Sequence, residues 1–166
     1  VAVARPASNA PSETAAAWFL VPRQTRMRLL SPSTGGDGPT HHGAYDLSYL
    51  RVFPNMHVAA PKDENELRQL LATAVALGRP VAIRYPRGAG YGVALDPEPK
   101  LLPVGKGEVR RVGKDGVVLA VGDPGLPALK AAERLAAEGG ASLTVLNARW
   151  VKPLDTELLA QFVKAG

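Results

Sequence analysis

Residues 37–51, Asp37-Gly-Pro-Thr40-His41-His42-Gly43-Ala-Tyr45-Asp46-Leu-Ser-Tyr49-Leu-Arg51, concentrate more reactive side chains than any other stretch of the chain. An acid, a hydroxyl and two of the three histidines fall within six residues, with glycines on either side. Glycine lets backbone approach a ligand closely, and imidazole changes charge near neutral pH. Asp37 and His41 are four apart, so on a turn or loop both reach one ligand. A neutral imidazole donates to a developing alkoxide or relays a proton, while the carboxylate orients it or accepts a substrate hydroxyl. On spacing alone, an Asp N-cap followed by solvent-facing histidines is the plainer alternative. A metal site is not expected, because adjacent histidines diverge and no third ligand accompanies them.

A second chemical segment is Arg84-Tyr-Pro-Arg87-Gly88. It follows an apolar run at the point where open α/β sheets bind ligands, the C-terminal end of a strand. The guanidinium fork of Arg87 suits a phosphate or carboxylate, which it grips through paired charge-assisted hydrogen bonds. Taken alone, a surface arginine in a turn explains it equally well. Gly88-Ala-Gly90-Tyr-Gly92 precedes no helix pattern, so it is not a dinucleotide or Walker loop.

The elements that must hold these residues are legible from Asp37 onward. His57–Ala60 is a short apolar strand between prolines. Asp63 with Glu66 three residues on forms a capping box, opening a helix with apolar positions at Leu67, Leu70, Leu71, Ala74 and Val75. Gly78 ends it ahead of Pro80. Pro80–Tyr85 is a second buried strand. Three prolines mark residues 92–104 as a linker. Gly105–Arg111 alternates weakly, and Val117–Val121 reads as a strand. Pro127–Ala137 reads as a helix, Ser142–Leu146 as a strand, and Asp155 caps a final helix through Phe162. Alternating strands and helices give an α/β fold with mainly parallel strands.

Composition bounds the partners. At 46% hydrophobic and 21% charged, the 166 residues are those of a globular protein. No run of 18 apolar residues occurs, so no membrane span is expected. The absence of cysteine fits a reducing, cytoplasmic setting. The net charge of +5 is concentrated in residues 1–36, which carry four arginines against one acid; residues 37–166 carry 16 bases against 14 acids. No aromatic-interleaved basic patch is present, so nucleic-acid binding is not expected. Residues 1–35 are rich in Ala, Ser, Pro and Arg, lack lysine and show no sustained periodicity. Within them Ala15–Val21 suits a short helix or strand.

Together these segments resemble the 1-deoxy-D-xylulose-5-phosphate synthases, thiamine-diphosphate enzymes of the transketolase superfamily. The resemblance is carried by Asp37–Arg51, then Pro54-Asn-Met, Ala60-Pro-Lys-Asp-Glu-Asn-Glu66 and Arg84-Tyr-Pro-Arg-Gly88. Leu102-Pro-Val-Gly-Lys-Gly107 and Asn147-Ala-Arg-Trp-Val-Lys-Pro-Leu-Asp155 follow in the same order. It covers about residues 36–166. It implies condensation of pyruvate with glyceraldehyde 3-phosphate, with loss of carbon dioxide, in isoprenoid precursor synthesis. It also implies a homodimeric full-length enzyme using thiamine diphosphate and Mg2+. By the resemblance Asp37 and His41 face the substrate and Arg87 meets the aldehyde's phosphate. Residues 36–91 correspond to the later part of the pyrimidine-binding domain, 92–104 to the linker and 105–166 to the opening of the C-terminal domain.

The departures shape the expectation as much as the agreement. The family's Gly-Asp-Gly…Asn-Asn cofactor site, its activating glutamate and its ring-stacking aromatics have no counterpart here. Gly36-Asp37-Gly38 is no substitute, since Asn55 and Asn65 stand singly. Where the family carries Asp-Arg-Ala-Gly before the signature, this chain has Arg26-Met-Arg-Leu-Leu30-Ser-Pro-Ser-Thr34. We therefore expect an interior fragment, catalytically incompetent alone, with residues 1–35 either a disordered terminus or a stretch foreign to the fold and translated out of frame. Loss of neighbouring strands is expected to leave Val58–Ala60 and Ile83–Tyr85 with unpaired edges. The alternative is a non-catalytic subunit of a split transketolase-like enzyme that docks on a separate cofactor-binding chain.

Overall fold

The computed structural model describes residues 18–21, 25–30, 43, 45–86 and 88–163. Strands β1 (Trp18–Val21) and β2 (Thr25–Leu30) are followed by helix α1 (Asp46–Arg51), β3 (His57–Ala59), α2 (Glu64–Leu77) and β4 (Val81–Arg84). After the linker come β5 (Glu108–Arg111), β6 (Gly116–Ala120), α3 (Gly125–Ala137), β7 (Leu143–Asn147), β8 (Trp150–Lys152) and α4 (Thr156–Val163). Two sheets result, ordered β1-β2-β4-β3-β8 and β5-β7-β6.

The α/β expectation holds, and the sheets are mixed. Pairings β2–β4, β3–β4 and β6–β7 are parallel, whereas β1–β2, β3–β8 and β5–β7 are antiparallel. The expected unpaired edges are corrected. β4 is flanked by β2 and β3, and β3 by β4 and β8. Two sources supply the missing neighbours: the segment before Asp37, and β8, which leaves the second half of the chain to pair with the first sheet.

Because β3 and β4 lie inside their sheet, both of their faces are covered, which explains their unbroken apolar runs. One face holds Ala59, Val81 and Ile83 against Leu70 and Ala74 of α2. The other holds Val58 and Ala82 against Leu50 of α1. Strand β8 follows the same alternation, placing Trp150 in the first cluster and Val151 beside the second. Trp150 is 0% exposed. Full burial of a side chain such as Leu70 or Ile83 contributes about 1.5–3 kcal/mol.

Helix α2 forms where the sequence predicts. Asp63 accepts from the Glu66 backbone N–H at 2.7 Å, and Gly78 closes the helix in the left-handed region at φ 64°. Residues 92–104 have no regular structure, yet they are not a free tether. Asp96 bonds Asn65 and Gln69, Arg68 reaches the carbonyls of Asp96 and Pro97, and the Leu102 N–H donates to Thr73 Oγ1 at 2.8 Å. Positions 65, 69 and 73 recur at one face of α2, so the linker lies along that face. Leu102 and Val104 join the core beneath it.

Candidate functional site

The C-terminal ends of β3, β4 and β6 meet at one open cleft of about 480 Å³. Pro61 and Lys62 come from the end of β3, Asp63 and Glu64 from the start of α2, and Tyr85 and Pro86 from the end of β4. Asp123 arrives from the turn after β6. That turn closes tightly on β3: a side chain at Gly122 would bring its Cβ to 3.3 Å from the Ala60 Cβ, and its φ is 79°. Glycine is the residue that accepts both the conformation and the proximity.

The loop leaving β4 is tied down by one carboxylate. Glu64 Oε1 accepts from the Gly92 N–H at 2.5 Å and the Val93 N–H at 2.9 Å, while Oε2 accepts from the Tyr91 N–H at 3.2 Å. Desolvation is the largest influence on this carboxyl and pushes its pKa up. The backbone N–H groups of Glu64, Val93, Gly92 and Tyr91 together outweigh it and hold the carboxyl below its usual range. Tyr91 continues the tie by donating its Oη to the Asp123 carbonyl at 3.1 Å. Burial raises the Tyr91 pKa, and the nearby charges of Asp123 and Glu64 add to that rise.

The cations at this end of the sheet differ in availability. Lys62 Nζ lies 3.1 Å from Glu108, 3.3 Å from Glu66 and 3.7 Å from Asp63, so its charge is already answered. Arg84, the last residue of β4, has a buried Nε with no partner among the described residues. Burial lowers its pKa, against the opposing pull of Asp46 and Asp123.

Behind the cleft a buried polar cluster joins the two halves. Glu66, 0% exposed, accepts from the Lys62 N–H at 2.7 Å, Asn147 Nδ2 at 3.0 Å and Arg149 Nε at 2.7 Å. Arg149, 8% exposed, also donates to the Lys106 carbonyl and Glu108. Its own N–H donates to Asn147 Oδ1 at 3.1 Å, and its φ of 56° is left-handed without being glycine. The surrounding bonds hold that conformation: the Arg149 carbonyl accepts from the Ala60 N–H, and the Ala148 N–H donates to the Ala120 carbonyl. The segment 147–149 thus stitches the end of β6 to the end of β3.

Of the residues singled out by sequence, Asp37, His41 and Arg87 lie outside the described residues. Their chain neighbours are described. Gly43, at φ 59°, accepts from the Asp46 N–H as α1 begins, and Pro86 and Gly88 line the cleft. Glu64, Tyr91 and Asp123 were not anticipated as site residues. The signal for Glu64 was present in the glycine spacing of Gly88-Ala-Gly90-Tyr-Gly92. A Cβ at Gly90 would lie 2.8 Å from Glu64 Oε1, so the glycines admit a carboxylate of this same chain.

Residues 19–91 match the transketolase pyrimidine-binding domain, and residues 105–166 match the transketolase C-terminal domain. The 1-deoxy-D-xylulose-5-phosphate synthase 1 of Geobacter metallireducens is 58% identical over 130 residues, covering 78% of this chain and 21% of that protein. The synthase of Syntrophus aciditrophicus is 60% identical over 131 residues, covering 79% and 20% respectively. Among solved structures, a split gene transketolase described as an inactive beta4 tetramer superposes with a TM-score of 0.71 at 32% identity. It covers 85% of this chain and 44% of that one. The transketolase of Campylobacter jejuni superposes with a TM-score of 0.59 at 23% identity, over 77% of this chain and 20% of its own, a likeness of fold. The chain spans about a fifth of the length of the curated relatives it matches. No described helix is long and apolar enough to cross a membrane.

Proposed function

As a chain that belongs to the transketolase superfamily, this protein, we propose, carries the aldehyde-facing part of a 1-deoxy-D-xylulose-5-phosphate synthase site. The observation that carries this reading is the 54–60% identity to synthases of that name over most of the chain. In this reading the whole enzyme joins pyruvate to glyceraldehyde 3-phosphate with release of carbon dioxide. Arg87 holds the phosphate, and Asp37 and His41 bond the substrate hydroxyls and move protons. The cleft beside Pro86 and Gly88 gives the substrate its seat at the strand ends.

Thiamine diphosphate and Mg2+ serve the family. Among the described residues no group of three or more His, Asp or Glu side chains converges as a metal's ligands. In this reading the residues that hold the cofactor lie outside the segments that match the synthases. In this reading the isolated chain seats substrate without turning it over.

A second reading is favoured by one observation, the 32% identity and 0.71 TM-score with a split gene transketolase. There the chain is a subunit that completes its site on a separate cofactor-binding polypeptide.

Calorimetric titration with glyceraldehyde 3-phosphate and with unphosphorylated glyceraldehyde tests the proposal. Binding that depends on the phosphate is expected; equal affinity for the two aldehydes would remove the role given to Arg87.

A further inference from the structure

Gly88, Ala89, Gly90 and Tyr91 form one wall of the cleft, and nothing in their own sequence gives that wall a fixed shape. No regular element contains them. Glycine-rich backbone is costly to order, so the wall needs an external hold. The structure supplies two. Glu64 collects three consecutive N–H groups, those of Tyr91, Gly92 and Val93, and Tyr91 Oη reaches the Asp123 carbonyl on the far side of the cleft.

We infer that Glu64 is a positioning residue: its carboxylate clamps the strap 88–93 onto the start of α2 and so sets the shape of the substrate cleft. The inference rests on the reading of that cleft as the seat of a phosphorylated aldehyde. Three features support it. Glu64 sits in the first turn of α2, where the helix dipole favours a carboxylate. Its acceptor atoms are met by three N–H groups adjacent in sequence, which fixes the strap's direction as well as its distance. Gly90 leaves the room that the carboxylate occupies, since a Cβ there would come within 2.8 Å of Oε1 and 2.9 Å of Cδ.

The clamp has a chemical specificity that separates positioning from general support. A carboxylate accepts at both oxygens, whereas glutamine keeps only one acceptor and turns an NH2 group toward the remaining backbone donor. Glu64→Gln therefore retains part of the clamp and Glu64→Ala retains none. Gly90→Ala is an independent route: it leaves Glu64 in place but drives its carboxylate off the strap. The 90 position carries no left-handed φ, so alanine fits the backbone there.

Amide hydrogen exchange at Tyr91, Gly92 and Val93, together with calorimetric binding of glyceraldehyde 3-phosphate, tests the inference in the full chain. Glu64→Ala is expected to speed exchange at these three amides about tenfold and weaken binding by a similar factor. Glu64→Gln should fall between it and the unmodified chain, and Gly90→Ala should follow Glu64→Ala. Unchanged exchange in Glu64→Ala and Gly90→Ala would overturn the clamp. Faster exchange with undiminished binding would overturn its positioning role. Failure of the unmodified chain to bind the aldehyde would instead overturn the functional reading, and exchange alone would then decide on the clamp. If Glu64→Ala does not fold, Gly90→Ala decides by the same criteria.

Discussion

Glu66 and Arg149 form a buried ion pair at 2.7 Å although 83 residues of chain separate them. The pair connects helix α2 of the first half to the strand-linking segment of the second. Two opposite charges removed from water are stable only when hydrogen bonds satisfy their remaining atoms. Lys62, Asn147 and Glu108 provide them. The start of α2, which borders the cleft, is thereby tied to the segment that follows β7.

Breaking this pair from one side should be severe. Arg149→Met leaves the Glu66 carboxylate buried with its main cation gone, and is expected to lower the unfolding free energy by about 3 kcal/mol. Glu66→Leu combined with Arg149→Met should recover part of that loss, because no charge is then stranded. Urea denaturation of the single and double variants measures both effects. A single variant within about 1 kcal/mol of the unmodified chain would show that the cluster is not what joins the halves.

How much of this was readable in the sequence follows from how local each feature is. Asp63, Gly78 and the apolar spacing of α2 announced themselves because capping and helical periodicity act over a few residues. The Asp155 cap was legible for the same reason, and its Oδ1 accepts from the Leu158 N–H at 3.0 Å. Glu66 was read as a capping-box member, which is half its role. Its side chain turns to the Lys62 N–H and to Arg149, a partner no local pattern could name. Strand β8 escaped for a related reason: three residues are too few for a periodic signal, and their pairing partner lies in β3. Of the site itself, the position of Tyr85, Pro86 and Gly88 beside the cleft at the end of β4 was legible. The glycines at 88, 90 and 92 signalled a close approach but could not name Glu64 or Asp123 as the partners, since both contacts depend on the linker and the second sheet folding back.

Gly113 provides a sharper packing test. A Cβ there would lie 2.2 Å from the Ser142 carbonyl oxygen, against backbone that cannot swing away. Thr144 Oγ1 further fixes the position by bonding both the N–H and the carbonyl of Gly113 at 2.8 Å. Gly113→Ala should cost about 3 kcal/mol, the upper part of the range for overpacking. Thermal unfolding reads the change, and an unaltered midpoint would contradict the close approach.

Acid should weaken the junction around Asp155. Desolvation acts most strongly on this carboxyl and raises its pKa. The N–H groups of Leu158 and Gly107, with the Lys106 ammonium, outweigh that effect and leave it below its usual value of 3.8. A carboxyl lowered in the folded state adds stability that is complete above the unfolded value and disappears as pH falls through the folded one. Asp155→Asn should therefore flatten the acid side of the stability profile, below about pH 5. Denaturation midpoints across that range would show it; parallel profiles for the two chains would argue against the assignment.

Arg87 should control phosphate recognition specifically. Loss of a charge-assisted pair of bonds corresponds to about a 10- to 100-fold weakening toward glyceraldehyde 3-phosphate. Arg87→Ala should leave the weak affinity for glyceraldehyde unchanged. Calorimetric titration of both proteins with each aldehyde separates these outcomes, and equal weakening toward both aldehydes would point to a collapsed cleft instead.

We propose that this chain seats the phosphorylated aldehyde while the cofactor is held by other sequence. One calorimetric experiment addresses it most directly: thiamine diphosphate with Mg2+ and glyceraldehyde 3-phosphate titrated separately into the same preparation of the unmodified chain. Saturable binding of the aldehyde phosphate and no tight binding of the cofactor are expected. Tight cofactor binding with no response to the aldehyde would contradict it.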